Sequence, residues 1–135
     1  MTPVIQQSVR FACPPDVLFE LYMVSAKHSA ATGARARIGR RAGERFTAFE
    51  GALSGRNLMV IPKRMIVQAW RSTNFEKTDP DSILVLEFSK VAGGARINLV
   101  HVGVPAQDHK GVSQGWPKYY WKPWKAYLAA RKRRG

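Results

Sequence analysis

The sequence is poor in cysteine and in acidic residues: its 135 residues include one cysteine and nine Asp and Glu, against 22 Lys and Arg. Because Cys13 is the only cysteine, an intrachain disulfide and a zinc site built from several thiolates are both excluded. The longest strictly apolar runs, such as LMVI and ILVL, are far too short to span a bilayer, and the N-terminus shows no signal-peptide pattern. We therefore expect a cytoplasmic protein without a membrane span.

The positive charge is concentrated in two segments. The formal net charge is +13, and residues 35–45 and 111–135 together hold eleven of these excess charges. Such clusters attract phosphates or acidic partners, but no base-reading motif accompanies them, so they predict no specific nucleic-acid binding. The length suits one domain with its own core, and we take residues 1–135 as a single domain with a basic tail at 131–135.

The order of apolar and turn-forming residues predicts an α+β protein. Residues 3–12 alternate like a strand and stop at two prolines, after which VLFELY has helical spacing and SAKHSAATG predicts a second short helix closed by Gly33. Short apolar runs divided by Gly, Pro and Asp then predict strands near residues 34–39, 44–50, 55–61, 64–72, 82–91 and 94–104. Together these elements predict a curved antiparallel sheet of six or seven strands wrapped around a long C-terminal helix.

An aromatic stretch, GWPKYYWKPWKAYL, begins the predicted C-terminal helix. At about 100° per residue the lysines fall on one side of this helix and the aromatic residues on the other, in an arc made of Trp116, Tyr119, Tyr120, Pro123, Trp124, Tyr127 and Leu128. A stacking platform for nucleic-acid bases needs exposed rings beside its charges, so this separation predicts a buried aromatic face instead. Pro123 removes a backbone donor and is expected to bend the helix.

Several segments together carry a family resemblance. They are GERFTAFEGALSGRNLMVIPKRMIVQAWRS, SILVLEFSKV, ARINLVHVGVP and GVSQGWPKYYW, and they contain G-x-x-F, G-x-x-x-G, P-x-R-x-I-V-x-x-W-R and G-W-x-x-Y-Y, which are specific as a set. With these motifs the chain resembles the activator of the ninety-kilodalton heat-shock protein ATPase homologue family, within the START-like, helix-grip superfamily also called SRPBCC. The earlier FACPPDVLFELYMVSAKHSAATGARARI fits the family's opening strand and paired helices. The resemblance therefore covers nearly the whole chain.

The resemblance implies a helix-grip fold and a groove for apolar ligands beneath the long helix. It also implies a relation to a eukaryotic co-chaperone that carries such a domain at its C-terminus. The separate N-terminal domain that supplies most of that protein's ATPase stimulation has no counterpart in these 135 residues. We therefore do not expect them to carry full co-chaperone activity, and the fold alone assigns no function.

Catalytic and metal-binding motifs are missing from the sequence. His28, His101 and His109 fall in a helix, a strand and a loop without paired i, i+4 spacing, which argues against a metal site. No G-x-S-x-G, G-x-x-x-x-G-K-[ST] or G-x-G-x-x-G motif occurs. The sequence thus supports neither a reaction nor a cofactor, and it leaves open whether the protein is an enzyme.

The predicted groove supplies the candidate ligand-binding residues. Those expected to face it from the sheet and from the C-terminal helix are Phe46, Leu58, Gln68, Trp70, Phe88, Leu99, His101, Trp116, Tyr120 and Trp124. Gln68 and Glu50 are candidate polar anchors, each with a solvent-facing alternative. A buried Glu50 would need a cation such as Arg71 beside it.

Three functions are compatible with these patterns. The first is the binding of a small hydrophobic or amphipathic molecule in the groove, by a monomer or homodimer. The second is a co-chaperone-like interaction module, in which the basic edge at residues 35–45 or the end of the last helix docks an acidic protein. The third is non-specific binding of nucleic acid or anionic membranes through RKRR. An internal apolar cavity favours the first, whereas a closed core leaves the other two.

Overall fold

A computed structural model describes residues 2–134, with Arg134 described by its backbone alone. The helices and strands follow one another in the order expected from the sequence. They are β1 (Ile5–Phe11), α1 (Pro15–Met23), α2 (Ser25–Thr32), β2 (Arg37–Ile38), β3 (Arg45–Ala48), β4 (Leu53–Ile61), β5 (Met65–Ser72), β6 (Ser82–Val91), β7 (Gly94–Val102), α3 (Ala106–Gly115) and α4 (Lys122–Arg134). A 3-10 turn (Phe49–Gly51) follows β3, and a π-helical turn (Trp116–Trp121) joins α3 to α4.

All seven strands form one antiparallel sheet in the order β1-β7-β6-β5-β4-β3-β2. The predicted α+β helix-grip fold is confirmed, with residues 106–134 forming the C-terminal helix that the sheet grips. The strand expected over 44–50 is shorter, because Phe49 and Glu50 have φ angles of 50° and 56°. Extended backbone cannot continue through such angles, so the chain turns sharply after Ala48.

Both short helices have the ends that the sequence predicts. Pro15 occupies the first turn of α1, where a missing N–H costs nothing, and Asp16 places a negative charge at the same helix terminus. Gly33 closes α2 in the left-handed conformation, with φ 80°, and its N–H bonds to the carbonyl of Ser29. The chain then crosses to the far edge of the sheet, where β2 begins.

The core lies between the inner face of the sheet and the C-terminal helix. The register places Ile38, Phe46, Gly55 and Trp70 side by side across four strands on this face. Phe46 packs directly over Gly55, where a Cβ atom would lie 2.7 Å from its ring and 1.9 Å from the carbonyl oxygen of Ala69. Only glycine fits at this crossing.

One predicted groove residue lies elsewhere. A β-bulge between Asn57 and Met59 inserts Leu58 as an extra residue, so that the inner face passes from Asn57 to Val60. The side chain of Leu58 is 41% exposed. Its expected position in the groove is therefore wrong, because Leu58 directly follows the inward-facing Asn57 and its side chain points to the other side of the sheet.

In residues 2–134, none of the helices combines the length and the apolar character required of a membrane-crossing segment.

Candidate functional site

The packing between sheet and C-terminal helix is incomplete at one end, where a cleft of about 380 Å³ remains. Its walls come from the turn after β3, the start of β4, the end of β5 and the facing side of α3 and the π-helical turn. The apolar part is lined by Phe49, Ala52, Leu53, Trp70, Val112, Trp116, Tyr119 and Tyr120, and the remainder by Ser72, Thr73, Asn74, Asp108, Gly111 and Gly115. Small-molecule sites have this size and this mixture of aromatic walls and few polar groups.

The turn after β3 carries one wall of the cleft. Phe49, Glu50 and Gly51 all have positive φ angles, which is unusual for the first two. This backbone directs the Phe49 ring towards the C-terminal helix, where its centroid lies 5.7 Å from that of Tyr119 and 5.5 Å from that of Tyr120. Strained backbone of this kind is found preferentially at functional sites.

Glu50 itself is exposed in this turn, so of its two expected placements the solvent-facing one is found and it is not a groove anchor. Its expected partner Arg71 instead donates to Asp81, with 2.7 Å between Nη1 and Oδ1.

The opposite wall is shaped by the π-helical turn. Pro123 has no N–H to donate to the carbonyl of Tyr119, and its ring crowds that carbonyl. The backbone widens instead, and the N–H of Lys122 bonds to the carbonyl of Pro117, five residues back. The helix continues through both prolines as a result.

The extra residue in this turn changes which aromatic side chains face inward. Tyr119, expected on the buried arc, is 48% exposed at the rim of the cleft. Trp121, which the regular helical period placed outside the arc, is buried and donates its indole N–H to Oε1 of Gln7 at 2.7 Å. The prediction of a buried aromatic face is right for Trp116, Tyr120 and Trp124.

A polar cluster closes one end of the cleft. The side chain of Asp108, in the first turn of α3, is 5% exposed. Its Oδ2 accepts a hydrogen bond from Ser72 Oγ at 2.5 Å, and its Oδ1 accepts one from Asn74 Nδ2 at 3.1 Å. No salt bridge reaches this carboxylate from the described part of the chain.

Beneath the cleft, Trp116 and Trp70 cover a buried histidine. The Trp116 indole N–H donates to Nδ1 of His101 at 3.2 Å, and Ser82 Oγ lies 2.9 Å from Nε2. Because Ser82 already donates its hydrogen to the carbonyl of Trp70 at 2.7 Å, Nε2 must carry the proton and donate to Ser82. The histidine is therefore no base for this serine.

Burial, with a smaller effect of the nearby His109 charge, lowers the pKa of His101 to about 3. The imidazole is neutral at ordinary pH and has no surface exposed to a ligand. It supports the floor of the cleft instead of providing the polar contact expected from the sequence.

A second buried polar network fills the middle of the groove. Tyr22 donates to Oε1 of Gln68 at 2.8 Å, and Gln68 donates to Oδ1 of Asn57 at 2.9 Å. His28 Nδ1 donates to the carbonyl of Tyr22, so its Nε2 accepts from the Tyr120 hydroxyl at 3.0 Å. These groups bond to one another, and Gln68 is fully buried outside the lining of the cleft, so it offers no contact to a guest there.

Burial shifts the titration of this network in the expected directions. It lowers the pKa of His28, against the smaller opposing effect of the bond to the Tyr22 carbonyl. It also raises the pKa of Tyr22, and that of Tyr120 well above its ordinary value. All three groups are therefore neutral near pH 7.

The ten predicted groove residues thus separate into three groups. Trp70, Trp116 and Tyr120 line the open cleft. The exposed residue is Leu58, and those packed in the core are Phe46, Gln68, Phe88, Leu99, His101 and Trp124. The sequence analysis missed the polar end, because Ser72 and Asp108 are 36 positions apart and no local pattern joins them.

Cys13 provides no activated thiol, and the histidines form no metal site in the part of the chain that the structure describes. Burial, together with the nearby Asp16 charge, raises the pKa of the half-buried Cys13 thiol to about 11, which keeps it protonated. Within residues 2–134, no three His, Cys, Asp or Glu side chains come close enough together to hold a metal ion.

The sheet, the gripped helix and the cleft between them define a helix-grip protein. The chain belongs to the family described as "Activator of Hsp90 ATPase homolog 1-like protein", whose family model matches residues 12–129. Among sequence relatives, it is 26% identical over 112 residues to the human "Activator of 90 kDa heat shock protein ATPase homolog 1", a match that covers 83% of this chain and 33% of the human protein. A Dictyostelium discoideum homolog is 25% identical over 119 residues, covering 87% and 30%. The chain thus spans about a third of the length of these relatives.

Solved structures share the fold at low sequence identity. An HSP90 activator from Plasmodium falciparum superposes with a TM-score of 0.87 at 20% identity, covering 95% of this chain and 97% of that one. CalU16 from Micromonospora echinospora superposes with a TM-score of 0.77 at 21% identity, covering 97% and 79%. These similarities establish the architecture.

Proposed function

We propose that this protein binds a small apolar or amphipathic molecule in the cleft between the Phe49 turn and the C-terminal helix. The observation that carries the proposal is the aromatic-walled opening of about 380 Å³ in an otherwise packed groove. Space lined by Trp70, Trp116 and Tyr120 favours an apolar guest, because filling it removes apolar surface from water. The polar end at Asp108 favours a guest with one polar group.

A helical glycine in the lining of the cleft allows a direct test of this proposal. Gly111 and Gly115 line the cleft from α3, and a Cβ atom at Gly111 would meet only Asp108 Oδ1 at 3.5 Å, an ordinary contact. Gly111→Leu therefore adds a side chain that fills the cleft without straining the helix. Leu58→Trp is the control, since it adds a large side chain at an exposed position away from the cleft.

The measurement is a titration with N-phenyl-1-naphthylamine, a neutral probe that fluoresces in apolar surroundings. The unmodified protein and Leu58→Trp are expected to bind one probe per chain, and Gly111→Leu is expected to lose at least tenfold in affinity. Equal binding by Gly111→Leu and the unmodified protein, both folded, would refute the cleft as the site.

A second candidate function is the docking of an acidic protein on the outer face of the sheet. The register places Arg45 opposite Arg56 on this face, in the same row as Ile83 and Val102. All four side chains are exposed, and no salt bridge reaches either arginine from the described residues. An apolar surface flanked by unpaired cations suits a partner with acidic residues around an apolar centre.

The names of its relatives suggest a 90 kDa heat-shock protein as this partner. The test is a binding assay with such a purified protein. The double variant Arg45→Glu, Arg56→Glu is expected to weaken binding at least tenfold, whereas Lys122→Glu, Lys132→Glu makes the same charge change on the exposed side of the C-terminal helix and is expected to have little effect. Equal effects of the two double variants would show that the attraction depends only on the net charge of the protein and not on this surface.

A further inference from the structure

The charge inside the cleft is opposite to that of the whole molecule. The chain carries a net charge of +13, yet of the residues that line the cleft in the described structure, the only charged one is Asp108. A basic protein that evolved to hold an anionic guest would be expected to turn one of its 22 Lys and Arg side chains inward. Here the site instead has a carboxylate at one end and aromatic rings along its walls.

The carboxylate keeps acceptor capacity for a guest. Two carboxylate oxygens offer about four acceptor positions, and Ser72 and Asn74 occupy one on each oxygen. These bonds also orient the group, because they tie the Asp108 side chain in α3 to Ser72 at the end of β5 and to Asn74 just after it. A positively charged donor at this end would complete a charge-assisted hydrogen bond in a largely dehydrated position.

The aromatic walls favour the same charge. The faces of tryptophan and tyrosine rings attract cations, and Trp116 and Tyr120 lie with their ring centroids 4.8 Å apart beside the cleft. Phe49 adds a ring from the turn after β3 on the opposite side, with its centroid 5.5 Å from that of Tyr120. A protonated amine bonded to Asp108 would thus meet a negative charge at one end of a cleft whose walls carry electron-rich rings.

We propose that the cleft selects an organic cation: a molecule with an apolar body that lies against the aromatic walls and a protonated amine that donates to Asp108. This inference rests on the proposed ligand-binding function and specifies its ligand class. It also assigns Asp108 as the residue that sets specificity, while Trp70 and Trp116 provide affinity for the apolar body.

A matched series of ligands separates the two proposals. 1-Naphthylmethylamine, 1-naphthylmethanol and 1-naphthoate share one aromatic body and carry a positive, no and a negative charge. Each competes with N-phenyl-1-naphthylamine at pH 7 and about 0.15 M salt, where the field of distant surface charges is screened within about 8 Å. We expect the amine to bind at least tenfold more tightly than the alcohol, and the carboxylate more weakly than both.

Two variants locate the source of this preference. Asp108→Asn is expected to remove the advantage of the amine over the alcohol while the alcohol still binds. Glu87→Gln removes one negative charge from the exposed outer face and is expected to leave the preference unchanged.

The outcomes distinguish the two proposals even if Asp108→Asn does not fold, because the unmodified protein alone can be tested with all three ligands. Equal affinity for amine and alcohol would overturn the cation inference and leave the ligand-binding proposal standing. Tighter binding of the carboxylate would overturn the inference as well. If the probe itself does not bind in the cleft, the ligand-binding proposal fails and the inference fails with it. If the probe binds but the amine does not displace it, the inference alone fails.

Discussion

Trp116 donates its indole N–H to Nδ1 of His101 across 3.2 Å, and this bond joins the C-terminal helix to strand β7, the second strand of the sheet. The same indole faces the cleft on its other side. The residue that provides a wall for a guest is thus held in place by a buried histidine that the guest cannot reach. Binding surface and core are therefore coupled at this point, and changes to either residue are expected to affect both.

Trp116→Ala is expected to destabilise the fold by about 3 to 5 kcal/mol, because it removes a buried ring and leaves a cavity. It also leaves Nδ1 of His101 without a donor. Trp116→Phe keeps most of the packing and removes the hydrogen bond, so its cost should be smaller, about 1 to 3 kcal/mol. Denaturant unfolding measures both, and an unchanged stability of Trp116→Ala would contradict the buried placement.

The buried histidines predict that the protein loses stability in acid. The pKa of His101 is about 3 in the folded state, below the ordinary value of 6.5 in the unfolded chain, so the unfolded state binds more protons between these values. The stability that neutral His101 contributes is complete above pH 6.5 and declines as the pH falls towards 3, by up to about 1.4 kcal/mol per pH unit. The lowered pKa of His28 acts in the same direction.

His101→Gln tests this dependence, since glutamine can accept from Trp116 and donate to Ser82 without titrating. The free energy of unfolding, measured at pH 5 and pH 7, should change less with pH in this variant than in the unmodified protein. The same pH dependence in both proteins would show that His101 takes up no proton on unfolding.

Two glycine-to-alanine changes should have opposite effects. Gly55→Ala places a Cβ atom 1.9 Å from the carbonyl oxygen of Ala69 and 2.7 Å from the Phe46 ring, so the strands must separate and stability must fall. Gly111→Ala places its Cβ in ordinary contact within α3 and should stabilise the helix, by up to about 1 kcal/mol. The melting temperatures of the two variants, measured by thermal unfolding, test this prediction. A Gly55→Ala protein as stable as Gly111→Ala would contradict the packing of Phe46 over β4.

The basic tail is expected to be dispensable for folding. Residues Arg131, Lys132 and Arg133 are exposed at the end of α4, where Arg131 donates to the Tyr127 hydroxyl, with 3.2 Å between Nη1 and the oxygen. The predicted tail extends to Gly135, which lies outside the described residues. Deleting residues 131–135 should leave the melting temperature within a few degrees of that of the full chain.

Any binding of anionic vesicles or nucleic acid through the tail should weaken steeply as salt rises, because it rests on released counterions. Binding that persists in high salt, or that survives the deletion, would indicate another site.

The strands, helices and their order could be predicted because each depends on local patterns: alternation in β6 and β7, prolines before α1, and a glycine after α2. The inward placement of Trp70 followed from the same alternation. The structure differs from the sequence prediction at positions where one extra residue shifts a regular pattern. The bulge at Leu58 interrupts the alternation of β4, and the π-helical turn before Pro123 brings Trp121 inward and Tyr119 outward.

The cleft itself could not be predicted, because it lies where side chains of the sheet and of the C-terminal helix leave a space unfilled, and no local sequence pattern marks that place. Phe49 reaches its position through the positive φ angles of Phe49 and Glu50, and these residue types rarely adopt such angles. Asp108 and Ser72 meet only after the sheet has folded under α3. The sequence does predict an aromatic groove beneath the helix, and its open end depends on these long-range contacts.

The most direct test of ligand binding in this cleft uses the four tryptophans as reporters. Trp70 and Trp116 line the cleft, whereas Trp121 and Trp124 are buried in the core beyond its lining. In ¹H–¹⁵N spectra each indole N–H gives its own signal, which can be assigned by single Trp→Phe variants. During a titration with 1-naphthylmethylamine, the signals of Trp70 and Trp116 should shift together and saturate at one ligand per chain, while those of Trp121 and Trp124 move little. Larger shifts at Trp121 and Trp124, or no saturable shift at any of the four, would contradict the cleft as the binding site.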